Sequence, residues 1–302
     1  MANQIPQAVY VIIYHKAAMP LQQLVLHFND QFERQHGLSH RPFSLRHGAV
    51  YGLYPPLQIG SVLTPIRQTV DTTKLLGHSA QLCLMPIGKQ RLQGEALESL
   101  LGCTDIPQPE NDLAIINFDR LARTVHMLNF LPISHLSGGL MVNVDARHIL
   151  AVKKDHGAYF EEIINKCGLE TKQVIIQVLI NSAYSFYQRQ LDEGLQNYRH
   201  CGYQLALRFD TPAVSKITSQ LIATLAPNFV CCSARTLKTL TDKKRREKLQ
   251  QLLNATTSIS GHSILLNVDD QHMHALAKNM GFAWVQGGFY EQPAYSTAAQ
   301  SY

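Results

Sequence analysis

Residues Gly139–Arg147 read Gly-Leu-Met-Val-Asn-Val-Asp-Ala-Arg. The first six are apolar except for Asn143 and are too few for an ordinary helix, so Gly139–Val144 reads as a buried strand. The same kind of run recurs on both sides, at Gln81–Ile87, Val174–Ile180, Gln204–Leu207, Phe229–Cys232, Ser263–Val268 and Ala283–Val285. Between these runs lie stretches with helical periodicity: Phe118–Phe130, Ala158–Cys167, Ser182–Cys201, Ala213–Leu225, Thr236–Leu253 and Gln271–Met280. Asp269 and Asp270 stand where the last helix needs an N-cap, and Gly168, Gly202 and Gly281 follow three helices as C′ residues. Strand and helix in alternation mean a parallel sheet with crossover helices. An open doubly wound sheet and a (β/α) barrel both fit this pattern, and in either the chemistry belongs at the C-terminal ends of the strands.

The chain before this alternation has a different rhythm. Ala8–Tyr14 reads as a strand and Pro20–Gln35 as a helix. Pro42–Leu53 reads as two short strands joined at His47-Gly48, and Ser61–Leu76 as another helix. The expected organisation is therefore a small α+β module over residues 1–78 and an α/β domain over 79–302.

Composition bounds the function. Of 302 residues, 45% are hydrophobic and 16% charged. That excludes a disordered chain and suffices for a large core. No apolar run approaches the roughly 20 residues that span a bilayer. The first residues lack the basic and apolar regions of a signal peptide. A cytoplasmic protein with no membrane contact is expected. The cysteines Cys83, Cys103, Cys167, Cys201, Cys231 and Cys232 form no Cys-x-x-Cys pair and read as buried free thiols. The net charge of +5 is mild. Its densest basic run, Asp242–Lys248, is followed by Leu249, Leu252 and Leu253, which reads as the solvated face of one amphipathic helix. It has no aromatic interleaving, so nucleic acid is not an expected partner.

The strand ends carry a series of words. Met85-Pro86-Ile87 followed by Gly94-Glu95-Ala96-Leu97 resembles the opening Gln-Pro-Ile and Glu-Ala-Leu of EAL domains. Val142-Asn143-Val144-Asp145-Ala146-Arg147 is similar to that family's Val-Asn-x-Ser-Ala-Arg, and Gln286-Gly287 to its closing Gln-Gly. The order runs from Gln81 to Pro293. The resemblance implies a TIM-like (β/α) barrel of EAL type and a family activity of cyclic di-GMP hydrolysis with Mg²⁺ or Mn²⁺. In the preceding module, Phe43–Tyr51 faintly resembles the signature hairpin of GGDEF domains, which implies a GGDEF remnant; an unrelated α+β module is the alternative.

Carried over by residue, Glu95 matches the glutamate of the family name and Asn143 its amide ligand. Elsewhere the match fails. The expected third-strand glutamate is Gln177, and the paired aspartates fall on Arg208 and Phe209. The expected lysine and aspartate fall on Cys231 and Ser233. The catalytic glutamate falls on Leu266, with a second on Asp269. The substrate-contacting glutamine and arginine are Met85 and Ser99. The expected relic pocket is thus Met85, Glu95, Asn143, Gln177, Arg208, Asp269 and Gln286, with Arg208 pairing with Glu95 in place of a metal. No catalytic residue, metal or other cofactor is expected. The resemblance implies an inactive regulator acting through a protein partner, with homodimerisation through the barrel. Cyclic di-GMP binding is expected to be weak or absent; the alternative is a receptor that binds cyclic di-GMP without hydrolysing it.

Overall fold

The alternation closes on itself. The computed structural model describes residues 20–36, 41–87, 113–135, 138–152, 157–180, 187–209, 216–237 and 243–290. Its strands are β1 (Phe43–Arg46), β2 (Ala49–Tyr54), β3 (Leu57–Gln68), β4 (Leu75–Pro86), β5 (Gly139–Val144), β6 (Val174–Ile180), β7 (Gln204–Phe209), β8 (Phe229–Ser233), β9 (His262–Leu266) and β10 (Trp284–Gln286). They form one sheet in the order β1-β2-β3-β10-β9-β8-β7-β6-β5-β4, and β3 also pairs with β4. Strands β3 to β10 therefore make a closed eight-stranded barrel. Every pair from β4 round to β10 is parallel, whereas β3 runs antiparallel to both its neighbours, β4 and β10.

Helices cover the outside: α1 (Leu21–His36), α2 (Leu113–Phe130), α3 (Ala146–Ala151), α4 (Ala158–Lys166), α5 (Gln188–His200), α6 (Lys216–Leu225), α7 (Ala234–Leu237), α8 (Lys243–Ser258) and α9 (Gln271–Met280). None of the described helices is long and apolar enough to cross a membrane. The parallel strands read as continuous apolar runs because both of their faces are buried. Alternate residues separate into two cores. Leu140, Val142, Val174, Ile176, Leu205 and Leu207 pack outward under the helices. Ile66, Met141, Ile175, Ala206, Phe229, Cys231, Ile264 and Leu266 fill the barrel interior. The end signals hold: the Asp270 side chain caps α9 by accepting from Met273 N at 2.7 Å, and Gly168, Gly202 and Gly281 have positive φ.

Two expectations about the early chain need correction. Ser61–Leu76 is not a helix; it covers most of β3 and the start of β4. The deciding residue is Pro65, which would cost a helix interior about 3 kcal/mol. In β3 it sits one residue beyond the β10 ladder, which ends at Gln286 opposite Ile66, and next to a register shift at Ile66/Arg67. Strands tolerate proline at such places. Nor is residue 78/79 a break in the chain's architecture. That position lies inside β4, and β3, from before it, closes the barrel.

The predicted hairpin at His47-Gly48 is present as β1–β2, with both turn residues at positive φ. It extends the barrel sheet beyond β3 and packs under α1, where Phe32 meets Phe43 edge to face at 5.1 Å. Two buried or half-buried amides hold this extension. Asn29 accepts from Phe43 N at 2.7 Å and donates to Phe43 O at 2.9 Å. Asn129 accepts from Val50 N at 2.9 Å and donates to Val50 O at 2.7 Å. Each amide serves both backbone groups of one strand residue, which pins the strand's register. Ala8–Tyr14 lies outside the described residues.

Candidate functional site at the barrel mouth

The C-terminal ends of β5 to β8 bring a polar group to the inner face of the barrel. Asn143 pairs in register with Gln177 across β5 and β6. Arg208 pairs with Cys231 across β7 and β8. Cys231 belongs to the interior cluster, and Leu207 and Phe209, flanking Arg208, belong to the outer core. Strand alternation therefore turns Arg208 inward. Gln177 is 2% exposed and donates from Nε2 to Met141 Sδ at 3.2 Å. The Cys231 thiol pKa is pushed up to about 12 by burial, which outweighs the opposing effects of Gln177 and Arg208. A protonated thiol at neutral pH is neither nucleophile nor metal ligand.

The opposite wall supplies Gln286. Its neighbour Val285 packs in the outer core, so Gln286 faces inward beside Leu266. It is 2% exposed, and its Nε2 finds no hydrogen-bond partner among the described residues. Arg208 Nε is likewise a buried donor with no partner among them. Both side chains come from inward positions at the strand ends. Around the rim, Ser233 Oγ meets Asn267 Oδ1 at 2.9 Å, with Asn267 at a φ of 59°. The close turn after β10 depends on Gly287, where a Cβ would stand 2.2 Å from Val268 O.

Of the expected pocket, Asn143, Gln177, Arg208 and Gln286 do face the barrel interior, and Leu266 lies among them as an interior apolar residue. Asp269 does not join them. It is exposed, and its Oδ1 accepts from Gly288 N at 3.0 Å, which fastens the loop after β10. Met85 is also displaced. The β4–β5 pairing ends at Ser79 opposite Met141, while β4 continues against β3 as far as Pro86 opposite Leu57. At ~3.4 Å per residue, Met85 stands roughly 20 Å along the strand beyond Ser79, where β4 pairs with the part of β3 that also carries β2. Glu95 and Ser99 lie outside the described residues, and with Glu95 lies its expected pairing with Arg208.

The strands that close the barrel carry a second, weaker version of the opening words. Thr64-Pro65-Ile66 lies on β3, and Ser79-Ala80-Gln81 follows on β4. Thr64 is opposite Ser79 in register, and Ile66 is opposite Gln286 of the closing strand. As a resemblance only, Thr64 answers to the glutamine of Gln-Pro-Ile and Ser79 to the glutamate of Glu-Ala-Leu. The residue words at 85–97 match better as text. The Pro-Ile common to both stretches was the only signal for the earlier one.

Behind β5 a buried polar belt fixes the mouth from outside. Arg123 on α2 is 1% exposed and meets Asp119 Oδ2 at 2.6 Å and His148 Nε2 at 3.1 Å. It also lies over the Phe160 ring at 4.8 Å and donates to Tyr198 OH at 3.4 Å. Burial is the largest influence and opposes the Arg123 charge, but Asp119, Tyr198 and Tyr203 together outweigh it and the guanidinium pKa rises. Asp119 Oδ1 accepts from Asp145 N at 3.3 Å. Asp145 in turn accepts from Arg147 N at 2.8 Å as the cap of α3, and grips the Arg147 guanidinium at 2.7 Å. The C-terminal end of the Val-Asn-Val-Asp-Ala-Arg segment is thus held in place. Elsewhere, the basic run lies on α8 as expected, with Leu249, Leu252 and Leu253 buried and Lys243, Arg246 and Glu247 exposed.

This architecture has solved counterparts. The chain is similar to an EAL domain protein from Listeria monocytogenes, with 14% identity, 78% of this chain and 87% of that one covered, and a TM-score of 0.57. It is similar to the Xanthomonas citri FimX EAL domain, solved in complex with c-diGMP, at 13% identity over 76% of this chain and 86% of that one, with a TM-score of 0.60. A standalone versatile EAL protein from Vibrio cholerae, in its c-di-GMP-bound form, matches at 14% identity over 76% and 89%, with a TM-score of 0.54. No family model matches the sequence, and no curated protein matches it. The fold is that of EAL domains, which makes the α/β barrel and the resemblance at its strand ends two views of one architecture.

Proposed function

We propose that this chain is a catalytically inactive EAL-type regulator, cytoplasmic, acting through a protein partner in bacterial signalling such as motility, biofilm, pilus or transcription control. One observation carries the reading. The inward positions at the strand ends, where the resemblance requires carboxylates and a lysine, hold Gln177, Arg208, Cys231 and Leu266. Mg²⁺ and Mn²⁺ need hard oxygen ligands, and activating water needs several of them with one open position. A guanidinium about 4 Å from a divalent ion would be repelled by ~8 kcal/mol at an effective dielectric of 20. The described residues at these positions do not fit the metal. Ser79 at the first position of the Glu-Ala-Leu counterpart supports the same reading. A barrel without its chemistry remains a rigid scaffold for binding surfaces, and a homodimer through the barrel belongs to this proposal.

The second reading is a receptor that binds cyclic di-GMP without turnover. What favours it is the likeness in fold to the FimX EAL domain and the Vibrio cholerae protein, both solved with that nucleotide, together with the inward-facing Gln286. Thr64, in the opening glutamine's place, is fully buried and argues for weakened contacts. Incubating the purified protein with cyclic di-GMP in Mg²⁺ and in Mn²⁺ tests inactivity. The expected product level equals that of a heat-denatured control, and metal-dependent turnover would overturn the proposal. Calorimetry with cyclic di-GMP then separates the two readings: sub-micromolar binding selects the receptor. For the first, capture from the native cell should return a protein whose association survives an excess of the nucleotide.

A further inference from the structure

We infer that the outer edge of β4 beyond Ser79 is a homodimer surface, on which two copies of this chain pair antiparallel about a two-fold axis at Cys83. This surface deepens the proposed function, on whose homodimer it rests. The hydrogen bonds of β4 define it. Ile87 N donates to Pro56 O at 2.9 Å across β3 and β4. Antiparallel ladders alternate bonded and non-bonded pairs. Met85, Cys83 and Gln81, opposite Gln58, Gly60 and Val62, therefore bond towards β3, and Leu82 and Leu84 aim both backbone groups the other way. On that other side the pairing of β4 with β5 ends at Ser79 opposite Met141. Beyond it, no described strand pairs with this edge. The edge closes again at Pro86, which has no N–H to offer.

Edge strands of monomers are protected by charged side chains, bulges or a cover, because their open backbone groups template pairing. This edge lacks the first two. Residues 75–87 contain no Asp, Glu, Lys or Arg, and the register shift of β3 against β4 lies at Ile66/Arg67, away from the open stretch. Two large apolar side chains stand exposed on it, Leu82 at 37% and Ile87 at 40%. The stretch is also complementary to itself. With Cys83 opposite Cys83 of a second copy, Leu82 meets Leu84 on both sides of the axis, and every N–H and C=O of these two residues finds a partner. An axis at Leu84 would set Leu82 against Pro86 and forfeit a donor. An axis at Leu82 would set Leu84 against Ala80, where β5 takes over the edge. A two-fold contact brings each residue near its own copy. Like charges there would repel, and this stretch has none, whereas an acidic or basic partner would find no complement on it.

The test is sedimentation of the full-length protein across a dilution series, together with oxidative cross-linking. A dimer is expected. A non-hydrogen-bonded pair brings its Cα atoms to ~4.5 Å, within the reach of a disulfide. Cys83 is a half-buried free thiol, and Gly60 opposite it in β3 brings no side chain against it. Copper-phenanthroline should therefore link Cys83 to Cys83 of the second copy, and Cys83→Ser should abolish the linked dimer. Leu82→Pro removes an outward N–H and leaves the β3–β4 bonds intact. Leu82→Lys sets a cation on each side of the axis. Each should weaken the dimer by ~tenfold or more and suppress the link. Circular dichroism confirms folding, and Leu82→Lys, at an exposed position, decides alone if Leu82→Pro does not fold. A monomer at all concentrations, a dimer that Leu82→Lys does not weaken, or a dimer without the Cys83 link overturns the inference. A dimer through another face would leave the proposed function standing. Turnover of cyclic di-GMP with Mn²⁺ would instead sink that function and leave this surface untouched, so the two failures are distinguishable.

Discussion

Two arginines of this barrel differ in how they are satisfied. Arg123, on α2 behind β5, has its guanidinium bound to Asp119 at 2.6 Å, placed against His148 and Tyr198, and covered by Phe160. Arg208, inside the mouth, is half-buried and makes no ion pair among the described residues, although Nε lacks a partner among them in both arginines. Both are charges taken partly out of water. One is enclosed by groups the chain supplies; the other has no carboxylate paired with it among the described residues. A charge needed for folding is matched internally, because an uncompensated buried ion costs several kcal/mol. A charge left open at a strand end is available for a ligand, and strand ends are where α/β barrels put their sites.

The comparison predicts opposite responses. Arg123→Ala strands Asp119 in the core and should cost about 3–5 kcal/mol of stability, read by urea denaturation; a loss below ~1 kcal/mol would make the belt decorative. The next effect is on acid. His126, one turn from Arg123 on α2, is buried against Ser61 Oγ at 2.8 Å, and burial lowers its pKa to about 4. Its unfolded value is about 6.5. Between pH 6.5 and 4 the unfolded chain binds the proton and the folded one does not, so this contribution is present above pH 6.5 and declines as pH falls to about 4. The loss is roughly 3 kcal/mol at most. In a His126→Gln variant the slope of stability against pH in this window should flatten; an unchanged slope would assign the acid sensitivity elsewhere. The smallest effect is expected for Arg208→Leu. If the mouth charge does no folding work, an apolar replacement should shift stability by less than about 1 kcal/mol. A loss equal to that of Arg123→Ala would erase the distinction.

The parallel part of the fold was legible because burial on both strand faces writes long apolar runs, as in Val174–Ile180, and because caps such as Asp270 and Gly281 mark the helix ends. The hairpin at His47-Gly48 was legible for the same local reason. The hidden element was β3. Its residues alternate between the interior and the outer core, and across Ser61–Leu76 the apolar positions also fit a helical face, with only Pro65 speaking against it. Losing β3 put the barrel's start one strand too late. The strand-end residues Asn143, Gln177, Arg208 and Gln286 were found because each lies at a fixed place after an apolar run. Asp269 was misplaced because sequence spacing cannot say whether a carboxylate just past a strand faces the cavity or its own loop. The orphaned donors of Arg208 and Gln286 are properties of packing and have no sequence signature at all.

Mn²⁺ titration followed by electron paramagnetic resonance tests directly the proposal that the Arg208 guanidinium stands where a divalent cation would have to sit. The full-length protein is expected to leave the free Mn²⁺ signal undiminished up to millimolar concentrations, with Arg208→Ala no different. A stoichiometric loss of the free-ion signal at micromolar Mn²⁺, reversed by Asn143→Ala, would mean that the mouth still holds a metal and would contradict it.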